Sequence, residues 1–89
     1  MRWAVIMQWE KHFGVNSSHT VQEIIERAVN TPSFYTALIN VAASRSGQVV
    51  SNVNLGRWLK RVQGKIVNGL TLLEAGNVHG YLQWKLMRR

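Results

Sequence analysis

The stretch NVNLGRWLKRVQGKI, residues 52–66, decides how this chain folds, because its side chains separate into two faces on a helix. At about 3.6 residues per turn, the apolar ones recur within an arc of roughly 100°. This apolar stripe consists of Leu55, Trp58, Leu59, Val62 and Ile66. The other side carries four cations and no acid, and we call it the basic face: Arg57, Lys60, Arg61 and Lys65, with Asn54 at its edge. The stretch therefore predicts a helix that docks on a core through one side and exposes positive charge on the other.

The charge of the chain is concentrated in the same region. Eleven Lys and Arg residues face four Glu residues, and the net charge is +7 over 89 residues. Residues 45–89 hold eight of the cations and a single acid, Glu74, so the first half is neutral. A basic face is often no more than solvated surface, but an excess this large attracts polyanions. The imbalance favours an anionic partner for the second half.

Composition limits the other classes of function. The length predicts one domain over residues 1–89, and no apolar run is long enough to span a membrane. With no signal peptide visible, a cytoplasmic protein is the default expectation. The chain lacks Cys and Asp, and no phosphate-binding loop or metal-ligand spacing is present. We therefore expect no enzyme, no cofactor and no metal, and we expect surface or loop positions for His12, His19 and His79.

Start and stop signals predict the order of elements. Helices are expected over residues 3–13, 21–29, about 33–44 and 52–66. Two strands are expected to follow, over residues 70–73 and 81–87, and a loop at 74–80 joins them into a hairpin. Thr20 and Glu23 form a capping box, and Thr31-Pro32 opens the third helix. Gly56 within the basic helix predicts a close contact with the preceding helix, and Gly64 is expected near the C-terminal cap of the basic helix. The expected fold is α+β, mostly α: a winged helix-turn-helix of about four helices and a C-terminal hairpin wing.

Three motifs carry a resemblance to a known family. They are LG-x-WL at residues 55–59, G-[KR]-[IV]-V-x-G-L at 64–70 and W-x-L at 84–86. With these motifs the chain resembles a winged-helix domain of phage and plasmid proteins, the C-terminal module of replicative primases or helicases of mobile elements. The resemblance covers most of the chain and implies an accessory DNA-binding module without the catalytic parts.

Two hypotheses about function follow, and a third variant stays open. In the first, the basic face and Asn54 contact duplex DNA in the major groove. Additional contacts to the neighbouring backbone or minor groove come from the hairpin: Asn77, His79, Lys85 and Arg88. In the second, a face formed by Trp3 and Trp9 joins a partner domain or a second copy of the chain, while Trp58 and Trp84 belong to the core. Single-stranded nucleic acid is the third possibility.

Overall fold

The computed structural model describes residues 2–47 and 49–88, and the side chains of residues 4–47 and 49–88. Within these residues the chain is α+β, with four helices and a four-stranded antiparallel sheet. The elements in chain order are α1 (Arg2–Phe13), β1 (His19–Thr20), α2 (Val21–Val29), α3 (Pro32–Ala42), α4 (Asn52–Val62), β2 (Ile66–Val67), β3 (Leu70–Val78) and β4 (Tyr81–Arg88). No helix in the described part of the chain has both the length and the apolar character needed to cross a membrane.

Helix α2 begins and ends where the sequence predicts. The Thr20 hydroxyl accepts a hydrogen bond from the Glu23 amide at 3.2 Å, and the Glu23 carboxylate accepts the Thr20 amide at 2.8 Å. The predicted capping box is therefore confirmed. Helix α3 also begins at the predicted proline, but Thr31 makes no side-chain hydrogen bond to its first turn. The two threonines thus differ in what they contribute to their helices.

Helix α4 ends next to Gly64, as predicted, and therefore does not extend to Ile66. The amide of Gln63 still donates to the Leu59 carbonyl, but Gly64 adopts φ +81° and its amide donates to Leu72 of β3 instead. This left-handed residue ends the helix and turns the chain into the sheet. The prediction that Ile66 lies on the apolar stripe is wrong, since Ile66 belongs to β2 and its side chain is 58% exposed.

The sheet has the strand order β1-β4-β3-β2. Most of the loop predicted at 74–80 is strand, because β3 continues past a bulge between Glu74 and Gly76. The hairpin closes in a tight turn at His79 and Gly80, with φ +52° and +84° between the paired residues Val78 and Tyr81. Positive φ at both central residues is typical of type I′ turns. The short edge strands β1 and β2 were not expected.

The core lies between the helices and one face of the sheet. Its largest side chains come from α1, α3, α4 and β4, and among them are Trp9, Phe34, Trp58 and Trp84. Burial of Trp58 and Trp84 confirms their prediction as core residues. Trp9 has no exposed surface, so it cannot form the predicted partner face. The side chain of Trp3 lies outside the described part of the structure.

Gly56 is not a point of close helix contact. A Cβ atom built there would meet no neighbour nearer than Cγ2 of Val21, at 4.0 Å, an ordinary van der Waals distance. Val21 belongs to α2, so the predicted close contact with the preceding helix, α3, is wrong. Packing in the core therefore gives no reason for a glycine at this position.

Candidate nucleic-acid interface

Helix α4 is anchored by one side and free on the other. The Ser51 hydroxyl caps its first turn by accepting the Asn54 amide at 3.2 Å. Its apolar side is fully embedded in the core: Leu55, Trp58, Leu59 and Val62. Because the buried residues follow helical spacing, the residues on the opposite side of α4 point toward solvent. Among them, Arg57, Lys60 and Arg61 are exposed. A rigid helix thus presents three cations to solvent.

These cations are not neutralised within the described part of the chain. The ion pair found there joins Arg88 and Glu10 at 2.7 Å, on β4 and α1. No carboxylate of the residues that the structure describes lies within salt-bridge distance of any member of the basic face. Exposed positive charge that has no internal ion-pair partner attracts anions from solution. At physiological ionic strength, this attraction extends over about 8–10 Å.

Lys65 is separated from the other three cations by the end of α4. It is exposed, and it lines a small apolar pocket of about 150 Å³ together with Trp58, Ile66 and Val67. Because the helix has already ended at Val62, Lys65 does not share its spacing. The basic face therefore consists of three cations on the helix and a fourth beyond its end.

Asn54 has a structural task. Its side-chain amide donates to the carbonyl of Ala43 at 2.8 Å, and the residue is half-buried. This hydrogen bond ties the beginning of α4 to the end of α3 across the connection between them. This hydrogen bond and the partial burial hold the Asn54 side chain against the connection between α3 and α4, so its first role is structural.

The predicted hairpin residues fall into two groups. Asn77 and His79 are exposed at the end of the hairpin that carries the turn. Lys85 alternates with Trp84 and Leu86 along β4, so it projects from the face of the sheet that points away from the core. Arg88 is held by Glu10. The structure thus places two of these residues at the turn and two elsewhere.

A groove that the sequence did not predict runs beside α4. It lies between the start of α2, α4 and the turn end of the β3–β4 hairpin, and its volume is about 910 Å³. We call it the α2–α4 groove. Arg57 and Lys60 line it from α4, and Tyr81 and Leu82 line it from β4. The signals in the sequence were a glycine inside a helix and a tyrosine next to a turn, but the three elements meet only in the fold.

The histidines are less exposed than expected. The ring of His12 stacks on Phe34 with 5.4 Å between ring centroids, and the ring of His19 lies 4.0 Å from that of Phe13. His12 and His19 are half-buried, whereas His79 is exposed in the hairpin turn, as expected. His19 also shares a 2.7 Å hydrogen bond with Ser17, and burial lowers its pKa from 6.5. Among the described residues, no cluster of three or more His and Glu side chains could hold a metal ion.

In comparisons with known proteins, no family model, no curated protein and no solved structure matches the chain.

Proposed function

We propose that this chain is a winged-helix module that binds duplex DNA through α4. In this proposal α3 and α4 form the helix-turn-helix, and the β3–β4 hairpin is the wing. The observation that carries it is the exposure of Arg57, Lys60 and Arg61 on a rigid helix, with no carboxylate partner among the described residues. An α-helix fits the major groove of B-DNA, where such side chains contact phosphates and base edges.

The geometry around α4 supports the proposal in a second way. The turn end of the hairpin borders the same groove as Arg57 and Lys60, so the helix and the hairpin lie side by side. Val53 is 62% exposed and lies one turn before Arg57 on the same side of α4. An exposed apolar side chain next to a basic surface is suited to contact a thymine methyl group.

The resemblance to replication proteins of phages and other mobile elements supports an accessory role in DNA replication. In that role the module would hold DNA for catalytic parts located elsewhere. The alternative function, a protein-interaction module that uses Trp9, has little support because the Trp9 side chain is fully buried.

A charge-reversal experiment tests the proposal. We expect the double variant Arg57→Glu, Arg61→Glu to bind a blunt duplex at least roughly tenfold more weakly in a gel-shift titration, because two phosphate contacts become repulsive. The matched control is Lys11→Glu, Arg27→Glu, which changes the net charge equally at exposed positions of α1 and α2. If both double variants bind the duplex like the unchanged protein, α4 is not the DNA-binding element and the proposal is wrong.

A further inference from the structure

The α2–α4 groove has properties that duplex binding by the basic face does not explain. A duplex phosphate backbone needs exposed cations, whereas this groove is lined in large part by apolar or aromatic side chains, among them Val21, Val53, Leu82 and Trp84. Arg57 and Lys60 form its charged side, facing the single acid Glu23. The carboxylate of Glu23 is already engaged by the Thr20 amide at 2.8 Å. The groove therefore combines an apolar part with two cations from α4 and one carboxylate from α2, and its net charge is positive.

Gly56 supplies an independent indication that the groove is kept open for a ligand. Glycine inside a helix costs about 1 kcal/mol relative to alanine. The fold does not require it here, since the atom nearest to an added Cβ would be Cγ2 of Val21 at 4.0 Å. Gly56 lines the groove, and any larger side chain would reduce the space there. A destabilising residue that leaves room in a groove is better explained by an occupant than by packing.

Tyr81 indicates what kind of occupant the groove receives. Its side chain is 68% exposed, and it is the exposed member among the Phe, Tyr and Trp side chains that the structure describes. It lines the groove next to the tight turn that closes the hairpin. An exposed aromatic ring beside cations is the arrangement on which unpaired bases stack while their phosphates are neutralised.

We infer that the α2–α4 groove binds an unpaired nucleotide, stacked on Tyr81, next to the duplex held by α4. This inference rests on the proposed function, because the groove shares Arg57 and Lys60 with the duplex-binding face. Its continuity with the face proposed to hold the duplex favours a nucleic acid over an acidic peptide. The module would therefore prefer the junction of a duplex and a single strand over a blunt duplex.

The test compares three short probes by fluorescence anisotropy: a blunt duplex, the same duplex with a single-stranded tail, and the same duplex with an abasic tail. The two tails carry equal numbers of phosphates, so a difference between them reports the bases alone. We expect the base-containing tail to bind roughly 5- to 150-fold more tightly than the abasic tail, the range that stacking of one base gives.

Three variants test whether that difference arises in the groove. Tyr81→Ala should abolish the preference for bases and leave binding of the blunt duplex unchanged, whereas Tyr81→Phe should retain the preference. Gly56→Leu, which fills the groove from the α4 side, should lower the preference as well. The matched control is Val78→Ala, because Val78 is the cross-strand partner of Tyr81 and does not line the groove. Circular dichroism establishes that each variant is folded.

The outcomes separate the two proposals. If the blunt duplex binds through α4 but the two tails bind alike, or Tyr81→Ala leaves their difference intact, the inference about the groove is wrong and the proposed function stands. If no duplex binds, the proposed function is wrong and the inference is wrong with it. If an acidic peptide containing aromatic residues binds in a Tyr81-dependent manner while the tails bind alike, the groove belongs to a protein partner and the inference is wrong.

Discussion

Gly56 is the residue at which stability and the proposed binding make opposite demands. Its helical conformation suits any residue, and a methyl group there would meet only Val21 at 4.0 Å. We therefore expect Gly56→Ala to raise the free energy of unfolding by about 0.4–1 kcal/mol, since alanine has fewer unfolded conformations and a higher helix propensity. Urea denaturation at constant pH measures this change.

Gly64→Ala is the matched control for Gly56→Ala. Gly64 adopts φ +81° where α4 ends, and a side chain in this conformation is strained by about 1–2 kcal/mol. The same substitution should thus stabilise the protein at residue 56 and destabilise it at residue 64. Loss of stability at residue 56 would mean that the groove cannot accommodate even a methyl group.

His19 makes the stability of the fold dependent on pH. Burial against Phe13 lowers the pKa of its imidazole below 6.5, an effect that Glu23 opposes and Arg27 reinforces. The unfolded chain therefore takes up a proton at a higher pH than the folded chain does. The stabilisation by neutral His19 is complete above pH 6.5 and is lost as the pH falls from 6.5 through the lowered pKa.

The measurement is the free energy of unfolding at about pH 7.5 and at successively lower pH values, for the unchanged protein and for His19→Asn. We expect the unchanged protein to lose more stability than the variant on acidification. His12 and His79 are present in both proteins, so their contributions cancel in the comparison. Equal losses would show that His19 is not responsible.

At the scale of single elements, α2 depends on its capping box more than α3 depends on its first residues. Thr20 and Glu23 exchange two hydrogen bonds at the start of α2, whereas Thr31 makes no side-chain bond to α3. We expect Thr20→Ala to lower the free energy of unfolding by about 1 kcal/mol and Thr31→Ala to change it by less than about 0.5 kcal/mol. Thermal melting of the two variants measures the difference, and equal effects would contradict the assignment.

The hydrogen bond from the Thr20 amide also lowers the pKa of Glu23 from 4.5. The contribution of the capping box is therefore present above pH 4.5 and is lost as the pH falls through the lowered pKa, because the protonated carboxyl is a poorer acceptor. The difference in the free energy of unfolding between the unchanged protein and Glu23→Ala, which removes the carboxylate, should shrink in this acidic range. A difference that stays constant down to low pH would exclude the carboxylate from the cap.

The elements that the sequence predicts correctly are those with local signals. The Thr20–Glu23 pair sets the start of α2, and Pro32 sets the start of α3, because each acts on the backbone within one turn. Gly64 is likewise found at the end of α4, as predicted. Ile66 was misassigned because the apolar spacing continues to it, while Gly64 bonds to a strand that the helix pattern does not include. Strand β1 was missed because its two residues gain their conformation only from pairing with β4.

At the scale of the whole molecule, the sequence predicts the part of the candidate site that lies on one helix but not the part that several elements form together. Amphipathic spacing was sufficient to predict that Arg57, Lys60 and Arg61 are exposed, since burial of one side of α4 determines the other. The α2–α4 groove was not predictable, because its sides come from three elements that are far apart in the sequence. The full burial of Trp9 was not predictable either, because it depends on how α1 packs against the rest of the core.

The salt dependence of the DNA affinity distinguishes binding through one surface from attraction by the net charge of +7. Each neutralised phosphate contributes about −0.9 to the slope of log K against log salt concentration, so roughly three to five contacts predict a slope between about −2.7 and −4.5. We expect Arg57→Ala, Lys60→Ala to make the slope shallower by about 2, because each lost phosphate contact removes about one unit.

The control Lys11→Ala, Arg27→Ala removes the same charge from exposed positions on α1 and α2. Charges that touch no phosphate act only at long range, and salt screens that action within about 10 Å. Their removal should therefore lower the affinity only slightly and change the slope much less than Arg57→Ala, Lys60→Ala does. If both double variants change the slope equally, binding follows the net charge rather than the surface of α4, since counterion release counts only the phosphates that are contacted directly.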